Sequence, residues 1–103
     1  VQPFVSRTFV LGREQVLCSF DKPVADGNDF RCDYRIVFPT RERRTHAYGV
    51  DEVQALTLAM QRAHMDLLSA PERQNEKLLW LDMEDLGLPL ASNAQPADFS
   101  QDG

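Results

Sequence analysis

Tyr48-Gly49-Val50-Asp51-Glu52-Val53-Gln54-Ala55-Leu56 is where the chain changes periodicity. Before it, apolar residues alternate. After it, they recur every three or four positions. Gly49 is expected to break a short strand over Thr45 to Tyr48. Asp51 can accept from the amide of Gln54, and Gln54 can reach back to Asp51, a capping-box arrangement. Val50 stands where it could staple against Ala55. From Asp51 the spacing predicts one long amphipathic helix, with Val53, Leu56, Met60, Ala63 and Leu67 on one stripe and Ala59 beside it. Ala70-Pro71 ends it, because proline disfavours helical geometry at the residue before.

The segments ahead of this junction read as strands. Residues 7–11 are β-branched and aromatic and run into Gly12. Residues 15–21 place Val16, Cys18 and Phe20 in alternation. Pro23 to Asn28 is loop chemistry. Residues 30–38 alternate Phe30, Cys32, Tyr34, Ile36 and Phe38 with Arg31, Asp33, Arg35 and Val37, the pattern of a sheet with one buried face. A hairpin centred near Ala25 would set Phe20 against Phe30, Cys18 against Cys32 and Val16 against Tyr34, all six on one side. Pro39 to Arg44 is expected to be a charged turn. Beyond the helix, Glu72 to Lys77 is a polar connection and Leu78 to Leu81 a last strand. Asp82 to Gly87 reads as a single helical turn with acids at its start. From Ala91 onward the composition predicts a disordered tail.

These elements imply an α+β fold: an antiparallel sheet of four to five strands with one long helix packed on one face. The 103 residues suffice for one domain, expected over 1–90, with 91–103 as the tail. Formal net charge is −5. That balance disfavours nucleic acid, whose phosphates need clustered Lys and Arg, and an anionic membrane surface. No apolar run approaches the ~20 residues of a membrane span. No signal peptide is visible in a sequence that begins with Val1 and not Met, and a cytoplasmic location is the expectation. Two cysteines at apolar positions read as buried thiols in a reducing compartment.

The stretch Gly49 to Leu56, followed by Leu58-Ala59-Met60, resembles a family of small bacterial domains of unknown function. A pattern of the type G-V-D-x-x-Q-A-L opens the long helix there, with Glu52 here where serine is common. Trp80-Leu81 and Asp85-Leu86-Gly87-Leu88-Pro89 match that family's ending. The resemblance covers roughly residues 6–90. It implies a compact α+β domain and supplies no catalytic residue.

Chemistry is sparse. Cys18 and Cys32 lack a Cys-x-x-Cys spacing. His46 and His64 have no ligand spacing around them, so neither a metal nor another cofactor is expected. No phosphate loop, nucleophile elbow or H-E-x-x-H pattern occurs, and no catalytic residue is assigned. The candidate interaction residues are Leu58 and Met65, on the helix side opposite the expected stripe, and the acidic group Asp82, Glu84 and Asp85. Leu58 and Met65 need cover, from the segment Leu78 to Leu90, from a second copy or from another protein. The acids could meet a basic partner or compensate a helix dipole. The function expected is therefore non-catalytic, through protein binding or self-association, with an immunity or inhibitor-like module as one version. A small-molecule site or enzyme on the sheet face near the cysteines is the alternative.

Overall fold

A computed structural model of the chain describes residues 3–90; the tail expected over 91–103 lies outside them. The strands are β1 (Val5–Leu11), β2 (Glu14–Phe20), β3 (Val24–Asp26), β4 (Asp29–Val37), β5 (Glu42–Gly49) and β6 (Leu78–Leu79). One helix, α1 (Glu52–Leu68), follows β5, and a 3-10 turn (Pro71–Gln74) leads toward β6. All pairings are antiparallel. The fold is α+β, one sheet carrying one helix.

β4 is the hub. One side pairs along its length with β5, while the other is shared between β3, at Phe30 and Arg31, and β2, at Tyr34 to Val37. β1 lies outside β2, and β6 outside β1. β5 is therefore one edge of the sheet.

The register differs from the expected one. Phe20 faces Tyr34 and Cys18 faces Ile36. The turn sits at Gly27-Asn28, with Asp26 opposite Asp29 and Gly27 at φ 63°. A glycine at positive φ in a two-residue loop suits the right-handed twist of the strands it joins. Three residues, Asp21 to Pro23, then oppose only Cys32 and Asp33, which makes a bulge. The loop expected over Pro23 to Asn28 thus contains β3. The net shift is even, so Val16, Cys18, Phe20, Cys32, Tyr34 and Ile36 keep the common buried face.

β5 begins at Glu42, earlier than the expected Thr45, and the turn shrinks to Phe38–Arg41, closed by the Phe38 amide on the Arg41 carbonyl at 2.8 Å. Charged residues tolerate this strand because Arg43 and Arg44 have acidic partners, Asp66 and Glu42.

The cap at Asp51 is formed: Asp51 Oδ1 accepts from the Gln54 amide at 2.8 Å. Gln54 Oε1 reaches one residue further back than expected, accepting from the Val50 amide at 2.7 Å. Val50 is exposed and makes no staple. Gly49 does not break the strand. It ends β5 opposite Phe30, and a Cβ there would lie 2.3 Å from the Ala55 amide nitrogen. The helix start rests on that glycine.

The buried line of α1 is Ala55, Ala59, Ala63 and Leu67, at intervals of four. Small side chains let the helix approach the sheet, where Phe9, Val16, Phe20 and Ile36 fill the space. Val53, expected in the core, is 75% exposed. The stripe read from large apolar residues is rotated from the one the fold buries.

The C-terminal segment is not a helical turn. Trp80 and Met83 exchange backbone hydrogen bonds at 2.8 and 2.9 Å, and Leu81 and Asp82 between them have φ of 51° and 65°. Two successive positive φ values make a tight reverse turn and leave no helix dipole for the acids to compensate. The segment then runs along α1: Leu86 is buried, and His64 Nδ1 lies 3.1 Å from the Pro89 carbonyl oxygen.

Candidate functional site

Leu58 and Met65 lie on the flank of α1 that faces β5. Leu58 is half-buried against the core and Met65 is exposed. With Ala47, Tyr48, Gln61 and Arg62 they border a shallow groove of about 470 Å³. The segment Leu78 to Leu90 does not line it; that segment meets the helix at His64 instead.

Polar contacts fix the groove's two walls. Arg62 donates from Nη1 to the His46 carbonyl at 3.0 Å. One turn along, Asp66 Oδ2 accepts from Tyr34 Oη at 2.5 Å and from Arg43 Nε at 3.0 Å. Tyr34 is buried, and burial together with Asp66 raises its hydroxyl pKa well above the ordinary value. Helix and edge strand are thereby locked beside the groove. Beyond Arg62, no described residue pairs with the outer side of β5.

The acidic group lies elsewhere. Glu84 pairs with Lys77 at 3.5 Å, Asp85 accepts from the Gly87 amide at 2.9 Å, and Asp82 occupies the reverse turn. None of the three borders the groove. The structure does not join the two sets of candidates.

The cysteines are fully buried and free. Burial, reinforced by the charge of Asp66, pushes the Cys18 thiol up to about 12. Burial and the nearby Asp33 carboxylate raise Cys32 to about 11. Cys32 Sγ donates to the Asp21 carbonyl at 3.4 Å and so occupies the bulge. A thiol held neutral is a poor nucleophile and a poor metal ligand. Among the described residues, no group of three or more His, Cys, Asp or Glu is placed to hold a metal ion. Among the described residues, no helix is long and apolar enough to cross a membrane.

The helix-free sheet face carries a second depression, of about 580 Å³, bordered by Asp21, Asp33, Arg35, Arg44 and His46. Arg35 and Arg44 are cross-strand neighbours, and Glu42 lies within 3.8 Å of Arg35 and 2.5 Å of Arg44. One carboxylate thus offsets two facing cations, leaving a mixed surface without a strong bias to either sign.

An antiparallel sheet, a glycine-seated helix and a clasping C-terminal segment are the features to compare with known proteins. A family model described as Domain of unknown function (DUF6968) matches residues 5–90. The chain belongs to that family. The DUF6968 match takes in every strand, the helix and the C-terminal segment to Leu90, close to the span of the resemblance carried by Gly49 to Leu56. No match is found among curated proteins or solved structures.

Sequence reasoning missed the residues that hold these walls. Tyr34, Arg43 and Asp66 come from three elements, and only the β4–β5 register brings them together. The one available signal was Arg43 itself, a charge at an inward-facing position of its strand.

Proposed function

We propose that this DUF6968 member is a non-catalytic module that works by binding protein through β5 and the adjoining groove. One juxtaposition supports the reading. An eight-residue edge strand offers backbone donors and acceptors on its outer side, and a groove containing Leu58 and Met65 runs beside it. An extended peptide added to such an edge gains main-chain hydrogen bonds and places alternate side chains in the groove. The concrete version is a bacterial, cytoplasmic inhibitor-like or immunity-like domain, for which the small size and net charge of −5 are suitable. The alternative of a small-molecule site or enzyme near Cys18 and Cys32 gains no support from thiols that burial keeps neutral.

Capture from the native host's lysate tests the proposal. The wild-type chain should retain a protein that Leu58→Asp and Met65→Asp variants fail to retain. Recovery of a bound metabolite and no protein would overturn it.

A further inference from the structure

A different surface carries uncovered apolar side chains. Phe4, Pro23, Val53 and Leu56 form a depression of about 230 Å³ between the segment preceding β1, the β2–β3 bulge and the first turns of α1. Val53 is 75% exposed and Phe4 54%. Phe4 is tied down, since its amide donates to the Phe20 carbonyl at 2.8 Å. Val53 sits on the first helical turn, where a carboxylate would complement the helix N-terminus better than a β-branched apolar side chain. No described residue covers Phe4 and Val53, which stand over buried Pro23 and half-buried Leu56.

The rim tells what fits. Lys22 and Glu52 both border the depression, and neither makes an ion pair with a described residue. A partner of one charge sign would be attracted by one of them and repelled by the other. A second copy related by a two-fold axis satisfies both: residue i meets j, and j meets i, so Lys22 of each copy meets Glu52 of the other around an apolar centre.

We propose that two copies of this chain associate through Phe4, Pro23, Val53 and Leu56, with reciprocal Lys22–Glu52 pairs. The patch is small, so the dimer forms and dissociates with concentration, as interfaces below the standard size do. No residue of this surface borders the β5 groove. The inference therefore stands or falls apart from the proposed function.

Sedimentation of the full chain from low to several hundred micromolar tests it. The wild type should shift from monomer to dimer, and Val53→Asp should weaken the dimer roughly tenfold or more. Lys22→Glu and Glu52→Lys should each weaken it, and the double swap should restore it. Cooperative urea unfolding of every variant would show that these exposed substitutions leave the fold intact, with the midpoint slightly raised in Val53→Asp and slightly lowered in Glu52→Lys by the charge at the helix N-terminus. A strict monomer throughout the range overturns the proposal. So does a dimer indifferent to Val53→Asp, or one that the double swap does not rescue. A dimer lost instead in Leu58→Asp places the contact at the β5 groove and overturns it as well.

Discussion

Arg7, on β1, stacks its guanidinium 3.9 Å from the ring centroid of Trp80, just past β6. The same Nη1 donates to the carbonyls of Leu86 and Gly87 at 3.0 and 2.9 Å. One side chain therefore fastens the C-terminal segment to the sheet, using a flat cation for both the ring and the backbone.

Arg7→Ala should lower stability by about 2–3 kcal/mol, combining the cation–π contact with hydrogen bonds from a charged donor. Arg7→Lys should recover only part of it. Gly87→Ala should act at the same place by a different route. Gly87 has φ 70°, and a Cβ there would lie 2.3 Å from the Trp80 ring. Urea unfolding of all three should show Trp80 fluorescence changing in the native baseline of the variants. Wild-type stability in Arg7→Ala would remove the clasp.

Gly49→Ala should cost more than Asp51→Ala. The cap contributes ~0.5–2 kcal/mol. A methyl group at Gly49 meets backbone rather than a side chain that could swing aside, so the helix start must lift from β5. Overpacking of that kind typically costs 1–3 kcal/mol or more, so a value of about 3 kcal/mol is expected. Thermal or urea denaturation of the two variants ranks them. The reverse order would mean that the helix start is not seated on the glycine.

The helix start was legible because it is local: Asp51, Gln54 and the periodicity after them lie within a few turns of chain. The buried face of the sheet was legible too, since alternation survives an even shift. The register was not, because it depends on a bulge at Asp21 to Pro23 whose extra residue leaves no mark in the alternation. The helix's buried line was misjudged for a physical reason. Large side chains dominate a hydrophobic reading, whereas the sheet admits the helix closely only along Ala55, Ala59 and Ala63. Leu81 at positive φ contradicts local propensity, though Asp82 beside it suits that region, so the acids around them read as a helix. Of the candidate surfaces, Leu58 and Met65 could be found from helical geometry. Phe4 and Val53 meet only through the tertiary fold.

Alkaline pH should destabilise the protein, with the sign set by the thiols. Cys18 and Cys32 are raised from 9.0 to about 12 and about 11. The folded state therefore keeps protons that the unfolded state releases, and stability falls as pH rises above about 9. Below that pH both states hold the protons and the effect is absent. The decline should run through about pH 11 for Cys32 and about pH 12 for Cys18, with Tyr34 joining above its ordinary 10.0. Cys18→Val should flatten the alkaline limb in pH-dependent urea unfolding. Native protein at neutral pH should resist a thiol reagent that labels both cysteines once denatured; rapid native labelling would contradict the burial of these groups.

Tyr34→Phe should isolate the lock between β4 and α1. It removes one hydroxyl and leaves Arg43 on Asp66. A loss of about 1.5–3 kcal/mol is expected, the range for a hydrogen bond to a charged group. Asp66→Asn should cost more, because it weakens the Tyr34 and Arg43 contacts together. A double-mutant cycle on Tyr34 and Asp66 measures the coupling directly, and additive single effects would show that the short contact contributes nothing of its own.

The outer edge of β5 should become adhesive when Arg62 is removed. Edge strands are templates for further pairing unless something blunts them. Here a guanidinium on α1 donates to the His46 carbonyl near the middle of the eight-residue edge. Arg62→Ala leaves that carbonyl open and takes a positive charge from the groove. Fold stability should change little, because the contact is exposed and replaceable by water. Self-association or seeding by extended peptides should rise, visible as a salt-insensitive increase in light scattering. Arg62→Lys should show an intermediate effect, since an ammonium can still donate to the carbonyl. If Arg62→Ala stays as monodisperse as the wild type and binds no peptide more tightly, then β5 is not the recognition edge proposed for this domain.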